Sequence, residues 1–217
     1  MRAYYAWGGV RVEFFDYLLD AYGRNEAILS NEIAFKGYSA PWIKKALKSL
    51  CDAGKAIRFE KGVYYIPEDT PLGPGRLDPR KVIAKKYICD GNSVIGYFSG
   101  LTFLNMLGLS TQMPNVLELY TNNEPSRVRE VPVGSQRVLL RRARTAIDSD
   151  NAATLSFLEL MNFTDAAFYD DGKKKTVASY IEDNGITRSS IARYAPCFPD
   201  RAMRTLVESG VVYDVAR

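Results

Sequence analysis

Residues Ser39-Ala-Pro-Trp-Ile-Lys-Lys-Ala-Leu-Lys-Ser-Leu-Cys-Asp-Ala-Gly-Lys-Ala-Ile-Arg-Phe-Glu-Lys-Gly-Val-Tyr-Tyr-Ile-Pro67 decide how the first part of the chain folds. Ile43, Ala46, Leu47 and Leu50 recur at i, i+3, i+4 and i+7, the stripe that an amphipathic helix buries. Ser39 stands where a capping side chain is wanted, and Pro41 falls in the first turn, where proline is tolerated. Gly54 stops the helix. Ala56–Phe59 and Val63–Ile66 then read as two strands joined through Glu60-Lys61-Gly62.

Working back towards the N-terminus, Val10, Phe14, Tyr17, Leu18 and Ala21 share one helical face, and Gly23 ends that helix. Ala27-Ile28-Leu29 is a short apolar strand, and Ser30 is positioned to cap a short helix carrying Ile33 and Phe35. The expected order is helix, strand, helix, helix, strand, strand, which is that of a winged helix-turn-helix.

The charge is segregated within this module. Residues 36–61 carry seven basic and two acidic side chains, net +5, whereas residues 11–35 carry two basic and five acidic ones, net −3. Lys44, Lys45 and Lys48 point away from the buried stripe. In a helix-turn-helix the exposed side of the second helix enters the major groove with its N-terminal residues at the base edges. Ser39 and Trp42 lie near that end, the lysines are placed to neutralise phosphates, and Arg58 and Lys61 on the wing are placed to reach the flanking backbone or minor groove. Those seven residues are the candidate contacts to double-stranded DNA. The competing readings are a solvated basic face and a winged helix used for protein contacts.

Composition narrows the chemistry. The chain has 217 residues, net charge +4 and a 47% hydrophobic fraction, enough for packed cores. It has no histidine, which removes every mechanism with a histidine base. Cys51, Cys89 and Cys197 are far apart and form no Cys-x-x-Cys pair, so reduced thiols in a cytoplasmic protein are expected rather than disulfides or zinc. The N-terminus lacks a signal-peptide pattern, and the apolar stretch Val94–Leu109 is too short and too polar to span a membrane. No cofactor is expected.

Glu68-Asp-Thr-Pro-Leu-Gly-Pro-Gly-Arg76 packs two prolines and two glycines into nine residues and reads as an inter-domain linker. The expected division is a winged-helix domain at 1–67, a linker at 68–77 and a larger mixed domain at 78–217. In that second part, helices are expected from Asp78 to Ile88 and from Ser93 to Leu107. Strands are expected at Asn115–Thr121, Val128–Val133 and Ser135–Arg142, and helices at Ala152–Met161, Thr176–Asp183, Arg188–Tyr194 and Asp200–Ser209. The fold class is α+β with a helical C-terminal part.

Two further clusters carry charge. Arg137, Arg141, Arg142 and Arg144 form a second basic patch, placed to bind phosphate or an acidic partner or else to be a charged strand end. Asp170-Asp171-Gly172-Lys173 invites a magnesium or phosphate-loop reading. The phosphate loop's first glycine is missing and no Ser or Thr follows the Gly-Lys directly, so a polar turn before a helix accounts for it better.

Ala46-Leu47, Leu50, Gly54, Ile57-Arg58 and Gly62-Val-Tyr-Tyr-Ile-Pro67 resemble the N-terminal winged helix of AbiEi-family antitoxins. Gly96-Tyr-Phe-Ser-Gly-Leu-Thr-Phe-Leu-Asn-Met-Leu-Gly-Leu109 followed by Pro114-Asn-Val-Leu-Glu-Leu-Tyr-Thr121 is similar to the segment that opens the antitoxin domain of that family. The resemblance implies a DNA-binding domain that represses its own operon at promoter repeats. It also implies a second domain that counteracts a nucleotidyltransferase-like toxin in abortive-infection phage defence, with no catalysis of its own. The alternative is a stand-alone regulator whose second domain senses a ligand or oligomerises. The helix here offers lysines and no arginine, so the bidentate arginine–guanine contact is missing from it.

Overall fold

The computed structural model describes residues 2–71 and 73–215, with side chains from Val12 onward. Of the residues used above, Leu72 and the side chains of Val10 and Arg11 lie outside it. The chain is α+β and divides into two compact units, Met1–Ile83 and Ala84–Arg217.

In the first unit, helix α1 spans Arg2–Tyr22, strand β1 Ile28–Leu29, helix α2 Ala40–Asp52, and strands β2 and β3 Ile57–Glu60 and Val63–Tyr65. The three strands form one antiparallel sheet in the order β1-β3-β2, with a bulge between Arg58 and Glu60. Phe14 and Leu18 of α1, Ile28, and the α2 stripe Ile43, Ala46, Leu47 and Leu50 make one core with Ile33, Phe35, Ala56 and Ile66. The periodicity of α2 therefore translates directly into its buried face. Gly54 and Gly62 take φ of +69° and +83°, which a side chain rarely tolerates, and they turn the chain out of α2 and between β2 and β3.

The expected helix over Ser30–Phe35 does not form. Ser30–Glu32 is a single turn and Ile33–Phe35 is irregular, followed by positive φ at Lys36 (44°) and Gly37 (71°). Ile33 and Phe35 are both buried, two residues apart, a spacing that suits an extended chain rather than a helix. Between β1 and β2 the described residues thus hold one helix, α2, where a helix-turn-helix has two. Nor does Ser39 cap α2: its backbone is extended as a cap requires, yet its side chain makes no capping bond. Pro41 removes one of the two amides such a side chain would accept from.

The Pro/Gly segment expected as a linker lies inside the first unit. Strands β4 (Asp69–Thr70) and β5 (Gly73–Pro74) pair there antiparallel. Gly75 N donates to Glu68 O at 2.7 Å, and Asn25 binds Glu68 through both side chain and amide. Helix α3 (Pro79–Ile83) follows, with Asp78 accepting from Arg80 N at its start and Lys81 Nζ bonding Glu26 and Asn25 O. Two prolines and two glycines make a tight hairpin as readily as a tether.

The second unit opens with a π-helical turn over Ala84–Ile88. Strands β6 (Cys89–Asp90), β7 (Ser93–Val94) and β8 (Gly96–Phe98), helix α4 (Gly100–Met106), and strands β9 (Val116–Thr121), β10 (Val128–Val133) and β11 (Gln136–Arg142) follow. The main sheet has the order β10-β11-β9-β8, with β11 parallel to β9 and the other pairs antiparallel. The continuous helix expected over Ser93–Leu107 is broken, since its first half pairs as strands. Gly96 explains why: a Cβ there would lie 2.0 Å from Tyr87 O and 2.7 Å from Tyr120 O, so the strand passes closer to its neighbours than any other residue permits.

The helical part consists of α5 (Ala152–Phe163), α6 (Asp171–Asp183), α7 (Arg188–Tyr194) and α8 (Asp200–Glu208). Their buried residues, among them Phe157, Leu158, Val177 and Leu206, pack with Tyr97, Phe103 and Tyr120 in the unit's core. Thr187 and Ser190 cap α7 reciprocally. Asp170 caps α6, accepting from Lys173 N at 2.9 Å, and also pairs with Lys173 Nζ at 2.5 Å. That hydrogen bond from Lys173 holds the Asp170 carboxyl below its ordinary range. Asp170 therefore starts a helix, as a polar turn should.

Candidate nucleic-acid interface

The face of α2 opposite the core presents Lys44, Lys45 and Lys48, all exposed. Among the described residues no carboxylate lies within ion-pair distance of Lys44 or Lys48. They are one turn apart on the same side, so both side chains extend from a single ridge. Arg58 is exposed on β2 and Lys61 on the turn that follows, and Arg58 Nε bends back to Glu60 O at 3.3 Å across the bulge. Ser39 stands exposed before α2, whose first turn has neither a side-chain cap nor an acidic residue.

Trp42 does not reach out as a base-edge contact would. Its ring meets Phe14 edge-on at 5.4 Å and lies nearly parallel to Phe35 (5.9 Å, 15°) and Tyr38 (4.1 Å, 21°). It fixes the start of α2 to α1. Sequence reasoning overlooked Tyr38, whose ring covers the indole and is itself 37% exposed. The signal was present as aromatic residues at positions 35, 38 and 42, spaced three and four apart.

The basic surplus of residues 36–61 is smaller at the surface than by count. Lys36 pairs with Glu13 at 2.7 Å, and Lys55 sits 5.2 Å over the Phe15 ring. Glu13, Asp16 and Asp20 of α1 line an open cleft of about 800 Å³ together with Tyr17, Phe35 and Lys36.

In the second unit the four arginines of the second patch are not brought together as free cations. Arg137 pairs with Glu130 on β10 at 2.5 Å, and Arg141 with Glu118 on β9 at 2.5 Å. Arg144 donates to Glu159 from Nε at 2.9 Å and stacks its guanidinium over the Tyr120 and Phe198 rings. Arg142 is left exposed without a carboxylate among the described residues. A phosphate-binding patch is therefore reduced to a set of cross-strand and inter-element ion pairs.

Arg144 belongs instead to a polar group that sequence reasoning missed. Glu159, with its side chain 8% exposed, also accepts from Tyr120 OH at 3.1 Å and Asn162 Nδ2 at 3.0 Å. Tyr97 stacks on Tyr120 at 5.4 Å, and its buried hydroxyl has no hydrogen-bond partner among the described residues, nor has that of Ser99. Burial, with Glu159 nearby, pushes the Tyr120 hydroxyl up to about 12 and that of Tyr97 well above its ordinary value. The available signal was Glu159 itself, a lone carboxylate inside the apolar run Leu155–Met161.

Among the described residues no three His, Cys, Asp or Glu side chains are grouped to hold a metal ion, and no helix is long and apolar enough to cross a membrane. Residues 24–156 match a family described as a family of unknown function (DUF6088), and the chain belongs to that family. No curated protein matches the chain.

Proposed function

We propose that this chain is a cytoplasmic, DNA-binding antitoxin that represses its own operon and counteracts a nucleotidyltransferase-like toxin, with no catalytic role. One observation supports the DNA-binding half: Lys44 and Lys48, exposed and without carboxylate partners among the described residues, stand on a helix followed directly by a hairpin bearing Arg58 and Lys61. Unneutralised cations on a rigid ridge are what phosphate contacts require, and the uncapped first turn of α2 adds backbone amides that favour an anion. Arg58 and Lys61 supply flanking backbone contacts. With lysines in place of arginine on α2, affinity comes mainly from phosphates, and sequence preference from promoter repeats and DNA shape. The antitoxin half rests on the resemblance of Gly96–Leu109 and Pro114–Thr121 to the AbiEi antitoxin domain.

The test is a reporter driven by the promoter of the protein's own operon. Wild-type protein is expected to repress it, and the Lys44→Ala, Lys48→Ala double variant to release most of that repression. Co-expression with the neighbouring toxin gene is expected to restore growth with either protein. A reporter indifferent to the wild-type protein contradicts the repressor half, and growth arrest that it does not relieve contradicts the antitoxin half.

A further inference from the structure

We propose that Tyr38 is a stacking platform for an unpaired nucleobase, so that the α2 surface holds single-stranded nucleic acid in addition to the promoter duplex; this rests on the nucleic-acid reading of α2 and adds a second form of its ligand. Phe35, Tyr38 and Trp42 lie within 14° to 21° of parallel, with Tyr38 against Trp42 at a centroid distance of 4.1 Å. Phe14, fully buried, braces both Phe35 and Trp42 edge-on. The stack is thus fixed to the core of the first unit rather than resting on a loose loop. Tyr38 is the most exposed residue of the three, at 37%, and Phe35 and Trp42 are its ring partners.

A preorganised aromatic face beside a cationic track is the arrangement that binds single strands, because every base has a π-face and stacking tolerates any sequence. The track is present. Lys45 lies one turn beyond Trp42 on the same side of α2, and Lys44 and Lys48 continue the exposed ridge. Duplex docking, by contrast, has lost a support. In a helix-turn-helix the first helix crosses the DNA backbone and seats the second. Here that helix is replaced by the turn Ser30–Glu32 and the irregular segment leading to Tyr38.

The experiment titrates full-length protein with a fluorescent 20-nucleotide thymidine strand and with the corresponding 20-base-pair duplex at one salt concentration. Tyr38→Leu is expected to weaken single-strand binding about 10-fold, with duplex binding changed less than about 2-fold. Tyr38→Phe, which keeps the ring, is expected to restore the wild-type value. Unchanged far-ultraviolet circular dichroism in both variants shows that the fold is retained. Single-strand binding indifferent to Tyr38→Leu, with duplex binding intact, overturns the stacking role and leaves the nucleic-acid reading standing. Absence of wild-type binding to either probe overturns both.

Discussion

Replacing Glu159 by leucine is expected to lower the unfolding free energy of the second unit by about 3 kcal/mol, among the largest effects of any single substitution outside the apolar core. The reason is what the carboxylate leaves behind. Arg144 Nε and Nη2, Tyr120 OH and Asn162 Nδ2 all donate to it. Without it, an arginine whose side chain is 26% exposed stays in place against aromatic rings with no counter-charge. The Tyr120 hydroxyl then loses the acceptor for its proton and keeps only the long donation from Arg144 Nη2 at 3.3 Å. Breaking a buried pair from one side costs about 3–5 kcal/mol, and the partial exposure of Arg144 places this case at the lower end. Adding Arg144→Met is expected to recover most of the loss, because the stranded charge is then gone. Urea unfolding of the single and double variants reads this directly, and a single variant as stable as wild type refutes the account of the pair.

Phe14→Ala is expected to destabilise the first unit by about 3–5 kcal/mol. Phe14 is fully buried and is the ring on which Phe35 and Trp42 both rest edge-on, at 5.1 and 5.4 Å. Its loss opens a cavity between α1 and α2 and frees the indole that fixes the start of α2. A unit of this size has about 4–12 kcal/mol of stability, so the loss takes a large share of it and the first unit is expected to unfold at a much lower temperature while the second unit is unaffected. Two separated unfolding transitions, with the first shifted and the second unmoved, are the expected observation. Val12→Ala, at a 54% exposed position on the same helix, serves as the control and is expected to leave both in place.

How much of this was legible depended on where the deciding partner sits. The α2 stripe, the stop at Gly54 and the turn at Gly62 are local, and the sequence pattern placed them to within a residue or two. So were β10 and α7, whose bounds coincide with those read from the pattern. The turn over Ser30–Glu32 was mistaken for a helix because its capping and composition look helical. Only the spacing of Ile33 and Phe35 argued otherwise. The strand at Gly96–Phe98 was hidden because its pairing partner, β9, lies some twenty residues on, and the close approach that requires Gly96 has no local signature. The composition of the Pro/Gly run suits a tether as well as a hairpin; it folds back through its own β4–β5 pairing and the Gly75 N–Glu68 O bond, and Asn25, far upstream, anchors Glu68.

The candidate site divided in the same way. Lys44, Lys45 and Lys48 were visible as an outward ridge as soon as the helix was. Trp42 was assigned to the ligand because position alone placed it near the helix start. Its aromatic neighbours on α1 and before α2 turn it inward and leave Tyr38 at the surface instead. The arginines of β11 looked like a patch because a linear reading does not show that Glu118 and Glu130, on the flanking strands, lie within reach of Arg141 and Arg137.

The most direct test of the central claim is the salt dependence of duplex DNA binding by the wild type and by the Lys44→Ala, Lys48→Ala variant, followed by fluorescence anisotropy across a range of salt concentrations. If the two lysines each neutralise one phosphate, the double variant binds more weakly on every sequence. The slope of log K against log salt is then shallower by about two units. A slope identical to that of the wild type contradicts the assignment of the α2 ridge as the nucleic-acid surface.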